Sequence, residues 1–380
     1  MKIPCAIRIP QLLGTAALCI LLSSCSQKFS YKETAVPEPL KMSNRLQTLF
    51  AKTKLVCFGR YAMEVPQEAE LLIGETWIPS PLKIYDGDIN DMQARANAQL
   101  EKLKREKRTS EVQYDGTGPG PETWQIRFFE SEYHKEDGTL YFFTFIHRNG
   151  HIFVTSDAAG ATRSESQTAE RQASFFKRLR IRSADEMPRE PGYCVKHAFI
   201  SHSTYGEQEL INAGIFLPSL PDVSFSVSSN KNAYMDYDKE EFEKRWRLEL
   251  SLLGRIEAAK KGQPLTYPHR DVLREGKRDV HHWHGEESLY KRKDGTHDFE
   301  WALVGTPQDV ANPSEFNAQM YSKVAHNTVG AAPNASLTDD EAVALFDRLL
   351  AGLKFRVKVP GAPEGSYYFP ENKPATGQAK

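Results

Sequence analysis

The sequence carries none of the short signatures that mark the common hydrolases. It has no Gly-x-Ser-x-Gly elbow, no His-Glu-x-x-His, no Cys-x-x-Cys and no complete phosphate loop. The stretch "LREGKRD" holds Gly276-Lys277 but lacks the upstream glycine and the hydroxyl residue of a nucleotide-binding turn. Charge of one sign is missing too. The 49 Lys and Arg residues balance 50 Asp and Glu to a net charge of −1, which gives no electrostatic case for a nucleic-acid partner. Cysteine is scarce, with five in 380 residues. Missing motifs argue against an enzyme without excluding one, because catalytic triads assemble in space rather than in sequence.

What is present begins at the N-terminus, "MKIPCAIRIPQLLGTAALCILLSSCSQ". Lys2 and Arg8 precede a short apolar run, Leu12 to Leu22, which is too short to span a bilayer and fits a secretory signal. Leu22-Ser23-Ser24-Cys25 resembles the lipobox of bacterial lipoproteins, in which the cysteine is lipidated and becomes the new N-terminus. The resemblance implies residues 1–25 as signal, Cys25 as lipid anchor, and a periplasmic body held on a membrane. Ser26 follows the cysteine in place of aspartate, which by the same analogy favours the outer membrane. Residues 26–44 are polar, contain two prolines and show no apolar period, so they are expected to be a tether. Cys5 and Cys19 would leave with the signal. The body then keeps Cys57 and Cys194, either as a disulfide in an oxidising compartment or as two buried thiols.

From Arg45 the pattern is globular. "KLVCFGRYAMEVP" and "AELLIGETWIP" are expected as strands ended by prolines. Residues 88–107 place Ile89, Met92, Ala96, Leu100 and Leu103 on one helical face behind an Asp88 cap. Three alternating strands follow, with Asn149-Gly150 as a hairpin turn, then a helix in "TAERQASFFKRLR". "MPREPG" (Met187 to Gly192) interrupts the chain, and the order then repeats. "GYCVKHAFISH" is a strand with a cysteine, and a helix is expected over Lys239 to Lys260 with Phe242, Trp246, Leu250 and Leu253 on one stripe. Further strands lead to a helix over Thr338–Leu350, where Thr338 and Glu341 fit a capping box. The expectation is an α+β protein of two related domains, 45–187 and 188–360, followed by a tail, 361–380. Each domain would be an antiparallel sheet with helices packed on one face.

Three of the eleven histidines fall within "DVHHWHGEES". If this is a strand, His282 and His284 share one face while His281 and Trp283 take the other. Two such ligands with His297 or Asp298 from a neighbouring strand would make a zinc site, and with it a zinc-dependent periplasmic hydrolase. An Asp294-Gly295 turn, however, would set His297 opposite Arg292, far from His284. A strand that merely carries imidazoles is therefore preferred, with no cofactor and no catalytic residue. Glu286 and Glu287, as strand neighbours, face opposite ways and cannot act together on one substrate.

Several motifs in order carry a family resemblance. "LVCFGRYAMEVPQEAEL" combines Cys57, Gly59-Arg60 and Val65-Pro66. "GYCVKHAFIS", "LPDVSFSVSSN" and "REGKRDVHHWHGEESLYK" follow in the second half. Together they resemble the immunity lipoproteins of bacterial type VI secretion that are paired with class-four lipase effectors, over residues 45 to 360. Lys196-His197 departs from the glycine-rich step that the family commonly has after its second-domain cysteine. The resemblance implies a protein that binds and inhibits a secreted phospholipase, protecting the producing cell and its sisters. A structural envelope lipoprotein stays open as a further alternative. Interfaces favour exposed aromatic anchors, which makes Tyr205, Tyr234 and Tyr237 the candidate partner-binding residues, while Gly59 and Arg60 suit a turn or an internal pair.

Overall fold

The structure is a computed structural model that describes residues 40–106, 111–322 and 334–370. The expected signal, Cys25 and nearly all of the tether lie outside these residues.

In the first half, helix α1 (Asn44–Leu49) leads into strands β1 (Thr53–Phe58), β2 (Tyr61–Pro66), β3 (Glu70–Trp77) and β4 (Leu82–Asp86). Helix α2 (Ile89–Arg105), strands β5 (Glu111–Thr117) and β6 (Thr123–Phe129), and short helix α3 (Glu132–Glu136) come next. Strands β7 (Leu140–Arg148) and β8 (His151–Ala159), helix α4 (Glu165–Arg178) and strand β9 (Leu179–Ile181) complete it. The second half opens with β10 (Gly192–Val195), β11 (Ala198–Ser201), β12 (Leu210–Phe216) and β13 (Val223–Asn230). A broken helical run holds α5 (Lys239–Glu241), a π-helical turn (Phe242–Trp246), α6 (Arg247–Leu250) and α7 (Leu252–Gly262). The chain continues with β14 (Arg270–Val280), β15 (Trp283–Arg292), β16 (His297–Leu303), β17 (Glu315–Ser322), α8 (Asp339–Ala351), β18 (Leu353–Val357) and β19 (Tyr367–Phe369).

The α+β class and the antiparallel character hold. A five-stranded sheet, β4-β8-β7-β6-β5, belongs to the first half, and a seven-stranded sheet, β14-β15-β16-β17-β13-β12-β3, to the second. Helix placement differs from the expectation. Helix α2 covers the face of the five-stranded sheet that carries Ile126, Phe128, Phe145 and Ile152. Phe175 of α4 packs with Ile146 and Phe153, whose positions alternate to the opposite face. On the larger sheet Glu286 accepts a hydrogen bond from the Leu253 amide of α7 (2.8 Å), whereas Phe346 of α8 packs on Phe299 from the other side. Strands such as "LYFFTFIHR" are apolar on both faces, so both faces must be covered.

The halves also exchange strands. β3 of the first half pairs with β12 and closes the seven-stranded sheet, and β18 of the second pairs with β2. Residues 361–370, expected as part of a tail, include β19, which pairs in parallel with β18. One large core consequently takes side chains from both halves. Tyr61 stacks between Phe316 and Phe355, at 5.0 and 5.3 Å between ring centroids, and its hydroxyl meets Ser229 Oγ at 2.8 Å.

Both cysteine-bearing strands turn out to be tight hairpins. β1 and β2 join at Gly59-Arg60 and β10 and β11 at Lys196-His197, where one strand each had been expected. Gly59 sits at φ +53°, and a Cβ there would lie 3.0 Å from Ile211 Cγ2, so glycine is favoured on two counts. The two hairpins meet. Gly59 and Cys194 exchange backbone hydrogen bonds of 2.8 Å in both directions, and Cys57 and Cys194 form a disulfide with a Cα–Cα separation of 5.8 Å.

The helical run is the other departure. Ser251 leaves helical geometry at ψ 153° and starts α7 afresh as its N-cap, while the π-helical turn adds a residue to one turn. The two irregularities rotate the expected stripe out of phase. Phe242 and Leu252 are buried, but Leu250 is 50% exposed.

Cys57 and Cys194 are 137 residues apart in sequence. Cys57→Ala should therefore lower unfolding stability by roughly 3–5 kcal/mol through release of the closed loop. Chemical denaturation of the variant against the parent under non-reducing conditions measures the difference.

Candidate functional site

The junction between the halves is polar and buried. Arg60, in the first hairpin turn, is 3% exposed and grips Glu209 with both fork nitrogens, Nε to Oε2 at 2.6 Å and Nη2 to Oε1 at 2.5 Å. Its remaining donors reach the carbonyls of His202 (3.3 Å) and Thr204 (3.2 Å), and its guanidinium lies 4.4 Å over the Tyr205 ring. Burial opposes the charge on Glu209, but Arg60 and then Lys231 hold its carboxyl below the usual carboxylate range. Two further buried arginines have backbone partners. Arg356 donates to the carbonyls of Pro188, Glu190 (2.9 Å) and Gly192 (3.0 Å), pinning the "MPREPG" segment. Burial pushes its pKa down to about 10. Arg182 donates to Glu186 (3.1 Å), Ala198 (3.2 Å), Ser183 (3.3 Å) and, across the junction, Cys57 (3.1 Å).

The junction therefore takes the two cysteines, Gly59 and Arg60, and it takes Tyr205 as well, half-buried under Arg60. Tyr237 is half-buried too, with its ring edge-on to Phe242 at 5.4 Å. Tyr234 is the exposed member of the three tyrosines, 60% accessible, and its hydroxyl accepts from Arg171 Nη1 at 3.4 Å.

The histidine stretch is a hairpin turn, not a strand interior. Val280 pairs with Trp283, which leaves His281-His282 as the two-residue connection, and His281 takes φ +55°. His281 Nε2 lies 3.1 Å from the Ala351 carbonyl and His282 Nε2 3.1 Å from that of Ala311. Desolvation lowers the pKa of both, and each Nε2, facing a carbonyl oxygen, serves as a hydrogen-bond donor. His284 points outward onto Asp279 at 3.0 Å. His297 pairs with Lys291, near the register expected from the Asp294-Gly295 turn, at the far end of β15 from His284. His282, His284 and His297 do not meet, so the zinc arrangement considered for them is not built.

His297 joins a different set. Its Nδ1 is bonded to Ser322 Oγ and its Nε2 lies 2.7 Å from Asp339 Oδ1. These are the residue types of a hydrolytic triad, yet Ser322 is fully buried and His297 only 1% exposed, so no substrate carbonyl can approach the hydroxyl. The set ties β16 and β17 to the first turn of α8. Glu286 and Glu287 face opposite ways as expected: Glu286 caps α7, and Glu287 is 2% exposed against Arg274 Nε at 2.5 Å.

Exposed apolar side chains mark a surface that the three tyrosines only partly anticipate. Leu248 and Leu250 of α6 are 57% and 50% exposed, and Leu265 just beyond α7 is 97% exposed. With Tyr234 they fall within 231–265. Leu250 also lines a cavity of about 320 Å³, together with Asn232, Met235, Phe242, Arg255 and Phe316. The π-helical turn and the Ser251 break create this surface, and neither has a sequence signal at the level of apolar spacing.

Comparison with known proteins agrees with this architecture. Residues 54–187 match the family model described as the N-terminal domain of Tle cognate immunity protein 4, and residues 186–358 match its C-terminal domain. No curated protein matches the chain. Among solved structures, the apo immunity protein TplEi of the type VI system of Pseudomonas aeruginosa aligns with a TM-score of 0.61 at 21% identity. That alignment covers 80% of this chain and 97% of TplEi. A structure described as the Tle4-Tli4 complex contains a chain that aligns with a TM-score of 0.63 at 21% identity, covering 80% of this chain and 98% of that one.

The junction generates a pH prediction. His202 is buried among Arg60, Arg178, Lys231, Glu207 and Glu209, and desolvation, reinforced by Arg60 and Arg178, pushes its pKa down to about 3. The unfolded chain thus binds a proton near pH 6.5 that the folded chain refuses. Stability should be full above pH 6.5 and fall progressively from there to about pH 3. His202→Asn should flatten that slope by an amount on the order of 1 kcal/mol per pH unit in urea denaturation between pH 4 and 6.5.

Proposed function

The chain belongs to the Tle cognate immunity protein 4 family, and on that premise we propose that it works by direct occupation of a lipase effector in the periplasm. It is an immunity protein of type VI secretion. One observation carries the reading of mechanism: a disulfide-closed body whose halves share strands carries four of the nine exposed large apolar side chains among its described residues, Tyr234, Leu248, Leu250 and Leu265, within the segment 231–265. Such a surface costs little conformational entropy to dock, because the body behind it is already ordered.

In this proposal Tyr234, Leu248, Leu250 and Leu265 meet the effector, and the half-buried Tyr237 supports the surface through its contact with Phe242, while Tyr205 belongs to the junction. TplEi, whose fold this chain resembles, is described in a complex with a peptide. Cys25 is proposed as the lipid anchor that keeps the inhibitor at the membrane where a phospholipase acts. Inhibition needs no catalysis by this chain. The buried Ser322 and the separated histidines supply no accessible catalytic set among the described residues.

The test uses the soluble body from Ser26, without the lipid-bearing Cys25, and a class-four type VI lipase effector from the same cell. Phospholipid hydrolysis should fall to background at one equivalent, with a one-to-one complex on size-exclusion chromatography. Full hydrolysis at several-fold excess would overturn the proposal. Leu248→Asp with Leu250→Asp should weaken binding roughly thirty-fold or more by calorimetry while leaving the melting temperature within a degree or two.

A further inference from the structure

We propose that Asp86, His151 and His197 form a binding site for a zinc-class divalent cation that clips the first-half sheet to the second-half hairpin. The three residues come from separate segments. Asp86 ends β4 and His151 begins β8, and the antiparallel register sets them directly opposite one another. His197 comes from the turn between β10 and β11. Asp86 Oδ1 lies 3.0 Å from His151 Nδ1 and 3.4 Å from His197 Nε2, and one ligand atom from each residue falls within 4.8 Å of the other two. Two tetrahedral zinc ligands about 2.1 Å from the metal stand about 3.4 Å apart, so these separations are already those of a ligand set.

Two independent features of His197 point the same way. Its backbone adopts φ +59°, a left-handed conformation that glycine takes freely and a histidine takes at a cost. The chain keeps an imidazole where a glycine would relieve that cost. Its Nε2 is also shielded from solvent and has no hydrogen-bond partner, although Asp86 stands within ion-pair reach. A cation between the rings and the carboxylate satisfies that nitrogen.

The ligand types select the metal. Two imidazole nitrogens and one carboxylate suit zinc and its first-row neighbours, whereas magnesium and calcium prefer all-oxygen sets. Three protein ligands leave the fourth position for water. The two rings now stack with centroids 4.1 Å apart and planes 4° from parallel, so a shared ion requires one ring to tilt. The His197 side chain, about a third exposed in a two-residue turn, is the one placed to move. Lys196 Nζ approaches the other carboxylate oxygen, Oδ2, at 3.7 Å and leaves Oδ1 facing the rings.

The test is a zinc chloride titration of the chelator-treated mature chain at pH 7.5, in competition with a chromophoric chelator. One zinc per chain is expected. His197→Gly should abolish that binding, since glycine adopts the left-handed turn and preserves the hairpin. Asp86→Asn, at an exposed side chain, should weaken it at least roughly ten-fold. His284→Ala should leave it unchanged. Zinc should raise the melting temperature of the parent but not of His197→Gly, a readout that needs no lipase. The proposal is overturned if the parent takes up no stoichiometric zinc, if His197→Gly binds as the parent does, or if binding is lost in His284→Ala instead.

Discussion

The contact between the two hairpin turns is the constraint from which the rest of the molecule follows. At that point Arg60 and Glu209 are buried as a bidentate pair, Gly59 and Cys194 share two backbone hydrogen bonds, and Cys57 is joined to Cys194. A buried ion pair is a weak source of stability when compared with apolar packing, but it is intolerant of misalignment. Either charge without the other costs several kcal/mol. The pair therefore fixes which way the halves meet more than how strongly. Arg356 and Arg182 extend the same logic to the connecting segment. Their guanidinium groups take backbone carbonyls as acceptors, so the "MPREPG" stretch, which its prolines would leave free of secondary structure, is held in one conformation.

A two-domain chain has two ways to join its halves, by docking finished domains or by weaving them. Here the weave is explicit, since β3 closes the other half's sheet and β18 extends the sheet of the β1–β2 hairpin. Domains that merely dock move relative to one another by default. Strand exchange, a shared aromatic core around Tyr61 and a covalent link remove that freedom. An inhibitor gains directly from this, because every degree of freedom frozen before binding is one that the complex does not have to freeze.

The elements with strong local signals were legible in the sequence. The Asp88 cap and the Met92–Leu103 face of α2, the Asn149-Gly150 hairpin and the Thr338–Glu341 box all stand where local chemistry puts them. Misreadings came where the deciding partner is distant. "KLVCFGRYAMEVP" resembles one strand because Gly59-Arg60 breaks it only through a turn whose arginine answers a glutamate 149 residues away. The histidine stretch resembles a strand because a two-residue turn at His281-His282 lacks the usual Asn-Gly or Asp-Gly. The sequence alone offers His282 and His284 with His297 or Asp298 from the next strand as a metal set, and the structure keeps these apart. The ligand geometry is instead found at Asp86, His151 and His197, which only tertiary structure brings together.

The helical run from Lys239 to Gly262 is interrupted twice, at the π-helical turn and at Ser251. A regular helix over these residues would align Phe242, Trp246, Leu250 and Leu253 and bury the stripe against the sheet. The π-helical turn and the restart at Ser251 prevent this, leaving Leu248 and Leu250 in solvent and a cavity beside Phe242. Nothing in the packing of β15 and β16 demands the interruption, because α7 already covers that face and is capped there by Glu286. Exposed leucines on a surface helix bring a solubility cost and no benefit to the isolated chain. On the proposed function, a bound effector is what would cover them.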